Sequence, residues 1–204
     1  GIRVGFNTAK AGDFDVQILG NIVRGVRVNG ILVEGGDQTG GTKNSKRVTV
    51  ADNQVSRFGQ GTTAHGIAVI YSEDVEVRGN RVDGTGSTVG KGILIEAQAK
   101  RVLVSDNRVQ NVTPASSVGI AVTGAGADRV QVLDNQLIQC TANCVWISTN
   151  PTNVTLMDNL SDTDNELVQG TGTVARTRNS FGTPKDTNSG VASVANGGTI
   201  AHGL

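Results

Sequence analysis

Gly92-Ile93-Leu94-Ile95, followed by Val102-Leu103-Val104-Ser105-Asp106-Asn107-Arg108-Val109, is one copy of a phrase that the chain repeats. The first half recurs as Gly1-Ile2-Arg3-Val4, Gly30-Ile31-Leu32-Val33, Gly66-Ile67-Ala68-Val69, Gly119-Ile120-Ala121-Val122 and, with the glycine replaced, Cys144-Val145-Trp146-Ile147. The second half places an asparagine at Asn21, Asn53, Asn80, Asn107, Asn135 and Asn159. Successive first halves begin at residues 1, 30, 66, 92, 119 and 144, within the period that marks solenoid proteins.

Both halves alternate apolar and polar residues at period two, so each is a short strand with one buried face, and no helical stripe is present. In-register stacking of equivalent strands makes continuous aliphatic columns. One runs Ile31, Ile67, Ile93, Ile120, Val145 and the next Val33, Val69, Ile95, Val122, Ile147. A third runs Val16, Val48, Val75, Val102, Val130, Val154, and a fourth Ile18, Val50, Val77, Val104, Val132, Leu156. A fifth follows the asparagine, Val23, Val55, Val82, Val109, Leu137, and breaks at Ser161. One coil cannot bury its own apolar face, but a stack of about six makes a core in which each coil needs only its neighbours.

This pattern resembles the right-handed parallel β-helix of the pectate-lyase-like superfamily over residues 1–160. The handedness agrees with the preference of parallel strands for right-handed crossovers. The recurring asparagine reads as a structural ladder, because Asn tolerates left-handed backbone where the second strand turns into the third and its amide can bond to the next rung. Asp52, Asp106, Asp134 and Asp158 each precede a ladder asparagine. Three lie on consecutive coils about 4.8 Å apart, where a cation could relieve their repulsion, but turn-forming, solvated aspartate is the preferred reading.

Composition limits the partners. The 204 residues include 28 Gly, 3 Pro and a single Trp, as stacked columns and turns require, and 18 basic residues balance 18 acidic ones. A balanced charge with no basic cluster interleaved with aromatics argues against nucleic acid. The apolar runs are strand-length, which argues against a transmembrane helix and a membrane partner, and the first residues lack a signal peptide's regions. Gly1 already opens a strand phrase, so the chain is expected to be a fragment or to abut another molecule there.

After Asn159 the alternation fails, and residues 161–188 read as a polar linker or helix cap. Residues 189–204 then read as the start of a small C-terminal β-domain, with a strand over 191–194, the hairpin signal Asn196-Gly197 and a second strand from Thr199. That segment resembles the start of the small β-domain that follows β-helices in bacteriophage tail and spike proteins.

Cys140 and Cys144 flank Thr-Ala-Asn, where a disulfide and a pair of buried thiols are equally good readings. Two cysteines without a well-placed histidine do not make a zinc site, and no metal or cofactor is expected. The resemblance places chemistry on the outer face of the Gly-Ile-x-Val sheet, whose outward residues include Leu32, Glu34, Ala68, Ile70, Leu94, Glu96, Ala121, Thr123, Trp146 and Ser148. The aspartate clusters that lyases and polygalacturonases of this superfamily carry are missing there, and His65 stands alone beside the rim. Glu34 and Glu96 share one outward slot two coils apart, roughly 9.6 Å by twice the strand spacing. That suits the carboxyl separation of an inverting glycosidase and makes them the candidate catalytic pair, although two solvated glutamates are the commoner reading. Trp146 and Glu96 are the candidate glycan contacts, since an outward indole can stack on a sugar ring.

Three functions follow in order. The first is a β-helical section of a virion appendage (tail spike, tail fibre or head fibre) that presents a rigid surface to a cell-surface polysaccharide or to other virion proteins. By resemblance to tail spikes it would be a homotrimer. The second is a secreted, extracellular polysaccharide lyase, hydrolase or epimerase. The third is a bacterial surface adhesin. Fold alone is a weak warrant for any of them.

Overall fold

A computed structural model describes residues 1–5, 15–35, 45–59, 64–87, 90–113, 117–162, 166–168, 174–177 and 179–181. Three sheets, each of seven strands, wind along the chain. The first sheet holds Ile2–Gly5, Ile31–Glu34, Ile67–Ile70, Lys91–Glu96, Val118–Thr123, Asn143–Ile147 and Glu166–Val168. The second holds Val16–Leu19, Ser45–Ala51, Ser72–Arg78, Lys100–Ser105, Asp128–Leu133, Thr152–Met157 and Val174–Thr177. The third holds Ile22–Arg24, Gln54–Ser56, Arg81–Asp83, Arg108–Gln110, Gln136–Ile138, Leu160–Ser161 and Ser180–Phe181. Every pairing is parallel, between equivalent strands of successive coils, and no helix lies among the described residues. This is an all-β parallel solenoid.

The register stacks the expected columns. Ile67, Ile93, Ile120 and Val145 pair in series, as do Val75, Val102, Val130 and Val154. The inward side chains of the central coils, Ile93, Ile95, Val102, Val104 and Val109 among them, are buried in one continuous core. Each is packed from above and below, which a single coil cannot do for itself.

The glycine that opens each first-sheet strand has a steric cause. A methyl group at Gly30, Gly66 or Gly92 would run into Cγ1 of Val55, Val82 or Val109, the third-sheet valine of the same coil. At Gly119 the nearest side-chain obstacles are Cys140 Sγ and Leu137 Cδ2, each at 2.9 Å. In the sixth coil both sides of this contact change together. Buried Cys144 takes the glycine slot, and buried Ser161 replaces the aliphatic residue of the fifth column. The break in that column at Ser161 is therefore a volume exchange, not an end of the fold.

The solenoid accordingly runs past the end expected at residue 160. Glu166–Val168, Val174–Thr177 and Ser180–Phe181 add a further strand to each sheet, and Asn179 adds a ladder rung, its Oδ1 accepting from the Asn159 amide at 2.9 Å. The alternation was lost in this coil because Glu166 stands in register with Val145, a polar residue in an aliphatic series. The segment 189–204 lies outside the described residues.

A second difference concerns the turn. The left-handed residue is not the ladder asparagine but the one before it: Gly20, Asp52, Gly79, Asp106, Asp134 and Asp158 have φ of 65°, 58°, 62°, 56°, 54° and 55°. Gly and Asp tolerate that region. Placing the bend one residue early turns the asparagine side chain inward, where Asn53, Asn80, Asn107, Asn135 and Asn159 are all buried.

Two stability measurements check this packing. Ile95→Ala should cost about 2–4 kcal/mol in chemical denaturation, whereas exposed Gln131→Ala should stay within about 0.5 kcal/mol; equal losses would contradict the inward and outward assignment. Ser161→Val should overpack the sixth coil by about 1–3 kcal/mol, and Cys144→Gly in the same chain should recover most of that loss. Additive effects would mean that the two positions do not compensate.

Candidate functional site

The first sheet's outer face carries two registered columns. Leu32, Ala68, Leu94, Ala121 and Trp146 form one, and Glu34, Ile70, Glu96 and Thr123 the other. The first is not a solvated row. Ala68 and Ala121 are fully buried, Leu94 is 3% exposed, and with Val118 they make a second small core against which Leu32, Ile70 and Trp146 are packed. Registered apolar side chains stack on an outer face for the same reason that they stack inside.

Glu34 and Glu96 hold equivalent positions with Ile70 between them. They differ in their surroundings. The Arg3 guanidinium, one strand away, donates to Glu34 Oε2 at 2.6 Å, and the Glu34 side chain is only 19% exposed. Glu96 stands beside a tight turn. Gly124, at φ +83°, leaves room where a methyl group would sit 2.7 Å from the Ala97 nitrogen and 3.3 Å from Glu96 Cγ.

Trp146 lies half-buried at the edge of the apolar patch, with Lys91 Nζ 5.6 Å from its ring centroid. Lys91 ties this corner to His65. The Lys91 backbone N–H donates to His65 Nδ1 at 3.1 Å, and the His65 backbone N–H donates to Asn29 Oδ1 at 2.8 Å. Burial, with a smaller contribution from the Lys91 charge, lowers the His65 pKa to about 4. The imidazole is therefore neutral at pH 7, with its proton on Nε2 because Nδ1 accepts. The histidine that stood alone in the sequence sets the start of a strand instead of working beside a carboxylate.

Asp52, Asp106 and Asp134 are exposed turn residues, and no group of three or more His, Cys, Asp or Glu side chains among the described residues could hold a metal ion. Cys140 and Cys144 carry buried thiols, not a disulfide, and burial pushes the Cys140 pKa up to about 12, which suppresses thiolate chemistry.

Sequence reading missed a charged seam on the second sheet. Arg47 Nε donates to Asp15 Oδ1 at 2.6 Å, and Arg101 donates to Asp74 Oδ2 at 3.0 Å and Glu73 Oε2 at 2.9 Å. Arg47, Asp74, Arg101, Arg129 and Asn153 have φ of 55°, 55°, 52°, 53° and 52°, a second left-handed position in each of these coils. These pairs join residues about one repeat apart, so a linear reading carries no signal for them. They border an open concavity of about 250 Å³ lined by Gln17, Thr49, Asp74 and Glu76.

The comparisons agree with this geometry. Residues 4–161 match a family model described as a right handed beta helix region. The chain belongs to that right-handed β-helix family. No curated protein matches it. Among solved structures, the A-module of the mannuronan C-5 epimerase AlgE4 from Azotobacter vinelandii is similar in fold, with a TM-score of 0.51 and 14% identity over 83% of this chain. The chain spans 53% of that module's length.

The neutral His65 makes stability depend on pH. Its folded pKa lies below the ordinary 6.5, so unfolding takes up a proton as the pH falls. The contribution is fully present above pH 6.5 and is lost toward pH 4. Thermal unfolding between those limits should show the wild type losing stability relative to His65→Asn, whose amide oxygen can still accept; identical pH slopes would mean that His65 titrates as in the unfolded chain.

Proposed function

We infer that this solenoid binds a polysaccharide along the outer face of its first sheet. The observation that carries the reading is the half-buried Trp146 at the edge of an apolar strip, with Lys91 and the Glu96 column beside it. An indole fixed on a rigid sheet offers a sugar ring a stacking surface at low entropic cost. A rigid rod of repeated strands also matches a linear polymer in shape. The fold neighbour named for mannuronan, itself a polysaccharide, supports the same substrate class by analogy.

Catalysis on that face is the second reading. It rests on the shared column of Glu34 and Glu96 and on the neighbour's epimerase name. Glu34 is engaged by Arg3 and not aimed at a substrate, so binding is placed first. The virion setting, with a homotrimer and other virion proteins as partners, would use this face for host recognition. Its motivation is the segment 189–204, outside the described residues. A secreted protein acting on extracellular polysaccharide would use the same face.

Emission from the single tryptophan reports on this face directly. Titration with alginate, pectin and capsular polysaccharides should shift the emission for at least one of them, and Trp146→Ala should weaken binding of that polymer, followed by calorimetry, by about 1–3 kcal/mol, the stacking range known for nucleobases. New reducing ends, unsaturated products or an altered uronate composition would favour the enzyme. Unchanged emission with every polymer would overturn the reading.

A further inference from the structure

Five arginines of the first and second sheets meet acids: Arg3 with Glu34 at 2.6 Å, Arg47 with Asp15 at 2.6 Å, Arg101 with Asp74 at 2.5 Å, and Arg78 and Arg129 with Glu76 and Asp128 at 3.6 Å. Four at the third sheet do not. Arg24, Arg81 and Arg108 project from its outer face, Arg57 follows the end of its second strand, and all four are exposed without an ion pair among the described residues. Among them, Arg108 Nε donates to a neutral acceptor, Gln110 Oε1, at 3.0 Å.

These residues are far apart in sequence, and the fold puts one on each of the first four coils. Arg81 and Arg108 are directly in register, so two guanidinium groups leave the sheet one strand spacing apart, about 4.8 Å at the backbone. Like charges directly opposite destabilise a sheet, and the chain as a whole, with 18 charges of each sign, does not need them for solubility. The acid nearest along this face is engaged elsewhere: Asp83 accepts from Thr85 Oγ1 at 2.6 Å, Gln110 Nε2 at 2.9 Å and Asn111 Nδ2 at 3.1 Å. Asp52 and Asp106 border the stripe at the turn from the second sheet, exposed and without an ion pair to it. Gln54 and Gln136 extend the Arg81–Arg108 column at either end with amide donors and acceptors.

We propose that this arginine stripe on the third sheet binds a linear acidic polysaccharide laid along the solenoid axis, at a site separate from the first-sheet face and independent of it. Between Arg81 and Arg108 the charge repeat is one strand spacing, about 4.8 Å, close to the length of one sugar ring, so successive anionic groups of a glycan meet these two arginines, while Arg24 and Arg57 flank the column further along their own coils. Duplex nucleic acid offers a phosphate about every 3.4 Å on each strand and does not match that repeat. A single strand would need aromatic platforms, and the outward third-sheet residues from Ile22 to Leu160 include none.

Fluorescence anisotropy with an end-labelled oligogalacturonate tests this, with neutral dextran and a single-stranded oligonucleotide of equal length as comparison probes. The wild type should bind the oligogalacturonate, not dextran, and bind the oligonucleotide more weakly. Arg81→Gln/Arg108→Gln should lower affinity about tenfold or more and reduce the log–log salt slope by about 1.4, the value for two fewer neutralised charges on a single-stranded polyanion. Arg129→Gln, which removes one charge from another face, should have little effect. The substituted arginines are exposed, and unchanged thermal unfolding confirms the fold. If only Trp146→Ala weakens the acidic probe, the stripe is not the site and the first-sheet reading stands. If only the double variant does, the stripe stands whatever becomes of that reading. Absent binding, preference for the oligonucleotide, or equal loss in Arg129→Gln would overturn the proposal.

Discussion

The structure depends on one side chain per coil, the asparagine amide that joins each turn to the next. Asn107 Oδ1 accepts from both the backbone N–H and the side-chain amide of Asn80, each at 3.0 Å. Its own amide nitrogen donates to Asn135 Oδ1 at 3.0 Å and back to the Val77 carbonyl at 2.8 Å. The oxygen and both amide hydrogens therefore have partners, which is the condition for burying a carboxamide without a desolvation penalty. The second strand can then turn into the third inside the molecule. Because every rung needs the next at a fixed height, the ladder also holds the coils in register, and the aliphatic columns follow from that register.

The columns and six of the rungs were legible in the sequence because they repeat at equivalent places in each coil, and a period-two alternation names its inward face without any knowledge of the turns. What escaped was of another kind. The coil through Asn179 was hidden because a glutamate stands in an aliphatic series, so the pattern broke while backbone pairing continued. The glycine slot was visible as a repeat but not as a clash with Val55, Val82 and Val109, which is a contact across the interior. The left-handed residue was assigned one position late, since Asp and Asn share the same tolerance and only the inward aim of the ladder separates them.

The candidate site was less legible than the fold. Glu34, Glu96 and Trp146 were found from alternation alone, and the register places them where alternation put them. Their surroundings were not readable. Burial of Leu94 and Ala121 on an outward face, the Arg3 contact to Glu34 and the Lys91 backbone bond to His65 each join different coils. Linear spacing carries no information about which outward residue of one coil leans on which of another.

A solenoid separates these demands. Inward positions must be aliphatic at every coil, while outward positions answer only to the neighbours above and below. Three outer faces can therefore carry three different surfaces on one core: an apolar strip with a tryptophan on the first sheet, compensated ion pairs on the second, and uncompensated arginines on the third. Net charge is blind to this division. A chain with equal numbers of acids and bases looks electrically featureless as a string, yet a repeat of about one coil gathers scattered arginines onto one face. The separation matters for a long ligand, because a row at strand spacing gains contacts with each added coil, whereas a single pocket does not. For any linear ligand laid along the axis, length decides how many coils can act together.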